Sequence, residues 1–399
     1  MDRKYSLPIM LLLAILSFAG LIYFEAKPAA PVVADLEPVG QEPEPDLITE
    51  VTLAAVGDIM AHMPQVNAAY NQELGVYDFS PCFAPVRPLL EEADIAVANL
   101  ETTLTGSDRN FSGYPRFNSP AELAQALKWT GFDLICTANN HSLDRGEEGV
   151  LRTLANLNVE GLAAVGTYSN WEERKEILIM EEGGQRLAFL AYTYGTNGLL
   201  PPAGKEYLVK LIDEQEMGED IAHARAEGVD WIIVFLHFGN EYQRTPSPEQ
   251  EELVDYLITL GVDVILGSHP HVLQPVIVTS GSETDQVVAY SLGNFVSNQR
   301  DRYRDSGMIL YMTLEKNLTR DIKTVSKVEY VPTWVHRYQR EGRLQYQILP
   351  VESALRDYEQ GNASYLTSGD YQRLQEVWEE TTQWVAPPEG KINLRNLTT

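Results

Sequence analysis

The sequence predicts a layered α/β domain held behind one N-terminal membrane-spanning helix. Three observations predict it. From about residue 51 onward, short β-branched or apolar runs alternate with amphipathic stretches, the pattern of stacked sheet and helix layers. The polar residues able to do chemistry stand just after those runs, where open α/β sheets collect function. Near Met1, an uncharged apolar stretch matches the hydrocarbon thickness of a bilayer.

That stretch runs from Tyr5 to Phe24 and follows Arg3 and Lys4. Positive residues before the span keep the N-terminus cytoplasmic and place the rest outside. Bulky Leu21-Ile22-Tyr23-Phe24 after Ala19-Gly20 favours an uncleaved anchor over a removed signal peptide. Residues 1–26 are therefore expected to be a single-pass anchor in the cell membrane, with the bulk of the chain extracellular. Residues 27–50 carry prolines at 28, 31, 38, 43 and 45 among acidic residues and have little to bury. They read as an extended linker. The folded domain is expected over 51–351, with 352–399 as a helical extension of it.

Within the domain, strands are expected at Val51–Val56, Ala93–Leu100, Phe132–Ala138, Leu187–Tyr194, Trp231–His237, Val262–Leu266, Val287–Leu292 and Met308–Leu314. Val331–Val335 and Tyr346–Val351 read as strands packing back on the core. Helices are expected at Glu148–Asn158, Ile212–Glu227 and Pro248–Leu260. Leu355–Trp384 should be helix-rich, broken at Gly361 and Gly369.

Composition restricts the chemistry. The 399 residues include 30 Lys and Arg against 57 Asp and Glu, a formal net charge of −27. No generic basic surface for nucleic acid is available. The same charge repels an anionic polymer at long range, so an anionic substrate needs a metal or a few arginines locally. Two cysteines, Cys82 and Cys136, do not make a disulfide scaffold, and Cys136 belongs to a buried apolar run.

Five strand ends carry Gly57-Asp58, Asn99-Leu100-Glu101, Asn139-Asn140-His141, His237 through Glu241, and Gly267-Ser268-His269-Pro270-His271. Carboxylate, amide and imidazole are ligands for one or two divalent ions such as Mn, Fe, Zn or Mg. Asp58, Glu101, Asn140, His237, His269 and His271 are the candidate ligands. His269 and His271 alternate across Pro270, so extended backbone would put them on one face, as two ligands or as one ligand and one anion contact. His141 is a candidate general acid or substrate contact, Asp144 its orienting partner, and Glu241 a candidate base. Arg116, Arg145 and Asn294 are candidate substrate contacts, Arg116 as a carboxylate or phosphate clamp. His62, His223 and His336 are not expected to be ligands.

The stretches Ala55-Val56-Gly57-Asp58-Ile59-Met60, Ala98-Asn99-Leu100-Glu101, Ala138 to Gly146, His237 to Glu241, Gly267 to His271 and Ser291-Leu292-Gly293-Asn294-Phe295 resemble the CapA family of capsule and poly-γ-glutamate proteins. The resemblance spans roughly Val51 to Val351. It implies a metallophosphoesterase-like α-β-β-α sandwich. That superfamily opens with Asp-x-His, whereas here Met60 stands two residues after Asp58, which implies an altered metal position. It also implies a role in making or exporting an anionic envelope polymer such as poly-γ-glutamate. Three functions follow: a metal-dependent hydrolase or transferase acting on an amide or phosphoester, a non-catalytic partner of membrane-embedded synthase subunits, or an extracellular metallophosphoesterase.

Overall fold

In the computed structural model, residues 46–280, 285–385 and 391–397 are described. The predicted membrane span and most of the linker lie outside them. No helix among the described residues is long and apolar enough to cross a membrane.

Two sheets face each other. The first has the strand order Arg343–Pro350, Ile322–Arg340, Ser306–Asn317, Ile48–Ile59, Ile95–Leu100, Leu134–Cys136, Ala163–Val165. The short strand Asn294–Val296 also pairs with Ile48–Ile59, in parallel. The second sheet runs Val276–Ser280, Asp285–Ala289, Val264–Ser268, Trp231–His237, Gln185–Thr193, Leu178–Glu182.

Strand periodicity explains the layering. Leu53 and Ala55 point inward with Val97, Leu134, Phe189, Ile233 and Val264, filling the space between the sheets. Their neighbours Ala54 and Val56 point outward, under Phe83, Leu123 and Leu127 from the helices on that side. On the second sheet, Leu190 and Val234 face Met217, Ile221 and Leu257 from the helices Glu214–Ala226 and Pro248–Thr259. The order helix, sheet, sheet, helix is the layering the sequence resemblance implied.

Local boundaries follow from caps. Ser247 and Gln250 form a reciprocal capping box that starts the helix at Pro248. Asp213 accepts from the Glu216 N–H and starts the preceding helix at Glu214. The first strand begins at Ile48, ahead of the expected Val51, because its first residues pair with Glu315–Asn317. At the C-terminal end, Val351–Glu359 and Ser368–Thr382 are helices. Gly361, with φ +75, lies just past the first of them, as expected. Gly369 is no break: the Thr367–Asp370 capping box places it in the first turn of the second helix. Both cysteines are free.

The topology positions the site. Ile48–Ile59, Ile95–Leu100 and Leu134–Cys136 are parallel, as are Gln185–Thr193, Trp231–His237 and Val264–Ser268. Asp58 is in register with Asn99, and His237 with Ser268. The carboxyl ends of both sheets therefore present their polar residues at one edge.

Candidate metal centre

Glu101 stands at the middle of this edge. It is 0% exposed, and neither carboxylate oxygen has a hydrogen-bond partner. A buried carboxylate without a donor is costly. Its Oε1 faces three imidazoles: His237 Nε2 at 3.7 Å, His271 Nε2 at 3.7 Å and His141 Nε2 at 4.0 Å.

Two ligand groups share Glu101. Glu101, His237 and His269 form one, and Asp58, Glu101 and His271 the other, with all donor atoms of each group within 4.8 Å of one another. Asn140 Oδ1 adds to the first, 2.9 Å from His237 Nε2. His237 Nδ1 lies 2.9 Å from Ser268 Oγ. Asn99 Nδ2 also lies 3.5 Å from Nδ1, so the metal-free ring is satisfied when Nε2 carries the proton and donates to Asn140; in the Nδ1–H tautomer that metal binding needs, the Nε2 lone pair faces the oxygens of Asn140 and Glu101. A cation resolves that arrangement, and the His269 Nδ1, buried and unpartnered, completes it. The residues present therefore fit a divalent metal.

The second group is more engaged. Asp58 Oδ1 accepts from Asn99 Nδ2 at 2.8 Å, and Asp58 Oδ2 lies 3.1 Å from His271 Nδ1. His271 Nδ1 is also 3.1 Å from Asn294 Oδ1. Met60 adds no donor; it is buried and lines an apolar cavity instead.

His269 and His271 are not extended, as the alternation across Pro270 suggested. Their φ values are +98° and +57°, a region non-glycine residues rarely occupy. The bend sends the two rings to different ligand groups, with centroids 6.1 Å apart.

Of the other predicted residues, His141 and Asp144 come together, Nδ1 to Oδ2, at 2.7 Å. Asp144 Oδ2 also accepts the Phe117 N–H at 2.6 Å, which fixes the carboxylate. Glu241 is exposed near the centre and acts electrostatically on Glu101 and His269. Arg116 is exposed. Arg145 pins the neighbouring loop, donating to Ser112 Oγ and to the Arg116 carbonyl. Asn294 is fully buried; its amide nitrogen donates to Gln299 Oε1 and to the Arg304 carbonyl, and its oxygen steadies His271. His223 lies on the helix surface beside Glu227, and His336 packs between Trp334 and Tyr338.

Sequence reasoning missed Asn99 and Tyr194. Asn99 links Asp58 to Asn139, accepting from Asn139 Nδ2 at 3.1 Å. Its position two residues before Glu101 at a strand end was a usable signal. Tyr194 tilts over His269 with centroids 4.6 Å apart, a contact between strand ends that no local pattern signals. His62 also proves adjacent: its ring meets Phe117 edge-on at 5.1 Å, and Phe117 in turn meets His141 at 4.7 Å.

Burial, then the carboxylates of Asp58, Glu241 and Asp144, push Glu101 well above the ordinary carboxyl value of 4.5. Burial, then neighbouring imidazoles, hold His237 well below 6.5 and bring His269 and His62 down to about 4. These shifts set the pH dependence of the metal-free protein. As pH falls below 6.5 the unfolded chain takes up protons on His237, His269 and His62 that the fold resists, while the raised Glu101 pulls the other way. The lowered imidazoles outnumber the raised carboxyl, so stability falls as pH drops from about 6.5 toward 4.5. Outside the site, His336 shifts in the same direction. Denaturation midpoints of chelator-treated protein from pH 4.5 to 7.5 check this, and a flat profile would contradict it.

Residues 52–299 match the family described as bacterial capsule synthesis protein PGA_cap. The chain belongs to this family. It is 30% identical over 296 residues to the PGA biosynthesis protein CapA of Bacillus subtilis (strain 168), covering 70% of each chain. It is 30% identical over 274 residues to the capsule biosynthesis protein CapA of Bacillus anthracis, covering 66% of this chain and 64% of that one. The PGA_cap match contains every candidate ligand, His141, Asp144 and Asn294. Among solved structures, the calcineurin-like phosphoesterase YfkN from Bacillus subtilis is 16% identical with a TM-score of 0.40, covering 85% of this chain and 98% of that one. The NAD nucleotidase of Haemophilus influenzae is 12% identical with a TM-score of 0.42, covering 87% and 57%.

Proposed function

We propose that this PGA_cap protein is a membrane-anchored, extracytoplasmic factor in capsule or poly-γ-glutamate biosynthesis or export, acting as a metal-dependent hydrolase or transferase on an amide or phosphoester of an anionic envelope polymer. The observation that carries the metal reading is Glu101: a buried carboxylate with no donor, set between two groups of ligand atoms. Asn140, His237, His269 and Glu101 would hold one ion, and Asp58, His271 and Glu101 a second. A bound divalent ion supplies Lewis-acid polarisation of the scissile group's oxygen.

The chain's own residues supply the rest. Asp144 accepts the Nδ1 proton of His141 and turns Nε2 toward the centre, where it can deliver a proton to a leaving nitrogen or oxygen. Phe117 packs edge-on against that imidazole and shields it from water. Arg116, exposed on the adjoining loop, offers a positive charge to a substrate carboxylate on a protein of net charge −27. The apolar stretch Tyr5–Phe24 would keep the domain at the membrane.

The test uses γ-linked glutamate oligomers and purified full-length protein, with metal content measured first. Near-stoichiometric metal and turnover are expected. His141→Ala should lower turnover about 10²- to 10⁴-fold with metal content unchanged. Protein without metal after supplementation would sink this reading.

A second reading is a non-catalytic partner of a membrane polymer synthase. The engaged Asp58–His271 group, lacking a donor at Met60, favours it. It predicts co-purification with membrane subunits that survives His237→Ala.

A further inference from the structure

A separate cavity lies behind the strand end that carries Asp58. Its volume is about 60 Å³, and Met60, Phe79, Phe83, Leu123 and Val296 form apolar walls. All five are buried. The helix Met63–Ala69 lies along the cavity and brings Gln65 into its lining. Exposed Asp78 and Pro81 place one edge of the cavity at the surface.

Gln65 distinguishes this cavity from a packing defect. It is 5% exposed, and its Oε1 accepts the His62 N–H at 2.9 Å, which fixes which end of the amide is which. The Nε2 is then the other end, buried and without a partner. Beside the apolar walls, Gln345, Tyr346 and Asp78 complete the lining, and Gln65 Nε2 is a fully buried amide donor that lacks an acceptor. Cys82 lines the same space, and burial pushes its thiol up to about 12, so it serves as a neutral wall.

Size and polarity together define what fits. The space exceeds the roughly 10–15 Å³ that admits one water and falls short of the ~150 Å³ that accommodates a benzene ring. Asp78 at the edge disfavours an anion, and the buried, unpartnered N–H of Gln65 disfavours a cation. A short neutral group with one strong acceptor meets each condition. We propose that this cavity is a recognition pocket for a small acyl group, acetyl in size, whose carbonyl oxygen accepts from Gln65 Nε2 while its methyl lies among Phe79, Phe83 and Leu123. The pocket needs no metal and is independent of the metal-centre reading.

The experiment titrates N-methylacetamide into the full-length protein in detergent, metal-free and metal-loaded. Binding is followed by the ¹³C-methyl signal of Met60, assigned with Met60→Leu. A saturable shift is expected in both forms. Gln65→Glu keeps the acceptor for the His62 N–H but removes the donor, and should weaken binding about five- to tenfold. Ala68→Leu projects bulk into the cavity and should abolish the shift. Wild-type denaturation midpoints of both metal-free variants show that the fold is intact, so the pocket is judged separately. The proposal is overturned by the absence of a saturable shift, by unchanged affinity in Gln65→Glu, or by a crystal soaked with the probe that shows an ordered water only on Gln65 Nε2.

Discussion

Replacing Glu101 with Gln is expected to remove metal from both positions at once while making the metal-free protein more stable. Glu101 belongs to both ligand groups, so its loss is not local to either. By contrast, Asp58→Ala should empty one position and His237→Ala the other, each leaving about half the wild-type metal. The stability effect has the opposite sign because the metal-free carboxylate is a burden. It is fully buried, lacks a donor, and is pressed by Asp58, Glu241 and Asp144. Its folded pKa is raised, so it destabilises the fold increasingly as pH climbs above 4.5. A neutral amide of the same shape removes that term, a gain of about 1–3 kcal/mol near neutral pH. In the pH 4.5–6.5 window, the loss of stability with falling pH should steepen, since the raised carboxyl no longer opposes the lowered imidazoles. Elemental analysis and denaturation with and without chelator measure both effects. A variant that retains metal, or a metal-free variant less stable than wild type, would falsify the bridging assignment.

Gly57→Ala and Gly267→Ala should destabilise the protein by about 3–5 kcal/mol each, at the upper end of single-substitution effects. The cause is backbone against backbone. A Cβ on Gly57 would stand 1.9 Å from the Gly293 carbonyl oxygen, and one on Gly267 would stand 2.0 Å from that of Tyr290. Neither neighbour can rotate away as a side chain could. Gly57 sits beside the hydrogen bond from Asp58 N to Gly293 O, 2.9 Å long, that seats the first ligand. Gly267 precedes the bend that divides His269 from His271. Loss of stability should therefore bring loss of metal. Gly195→Ala, where a Cβ meets nothing within 4 Å, should stay within about 0.5 kcal/mol and serves as the control. Equal denaturation midpoints for Gly57→Ala and Gly195→Ala would contradict the close approach seen here.

The strands were legible because burial on both faces leaves a continuous apolar run, as in Trp231–His237, whose bounds the sequence matched. The helix after Trp231–His237 was legible from its amphipathic pattern at Pro248–Leu260, and the structure places it at Pro248–Thr259. The ligand types were legible for a related reason: a polar residue directly after such a run must lie at a sheet end. Short edge strands such as Leu178–Glu182 and Ala163–Val165 were not, because few residues carry their pattern and pairing partners decide their existence.

What the sequence by itself determined is that Asp58, Glu101, Asn140, His237, His269 and His271 each stand at the end of an apolar run in an α/β domain. What only the tertiary structure decided is how they divide. Glu101 is shared because two sheets bring their carboxyl ends to one edge, and His269 and His271 separate because their backbone adopts positive φ. Both depend on contacts between residues far apart in the chain, such as Asp58 with His271 and Asn140 with His237. Local periodicity reports which face a side chain occupies; the partner it meets there is fixed by packing across the fold.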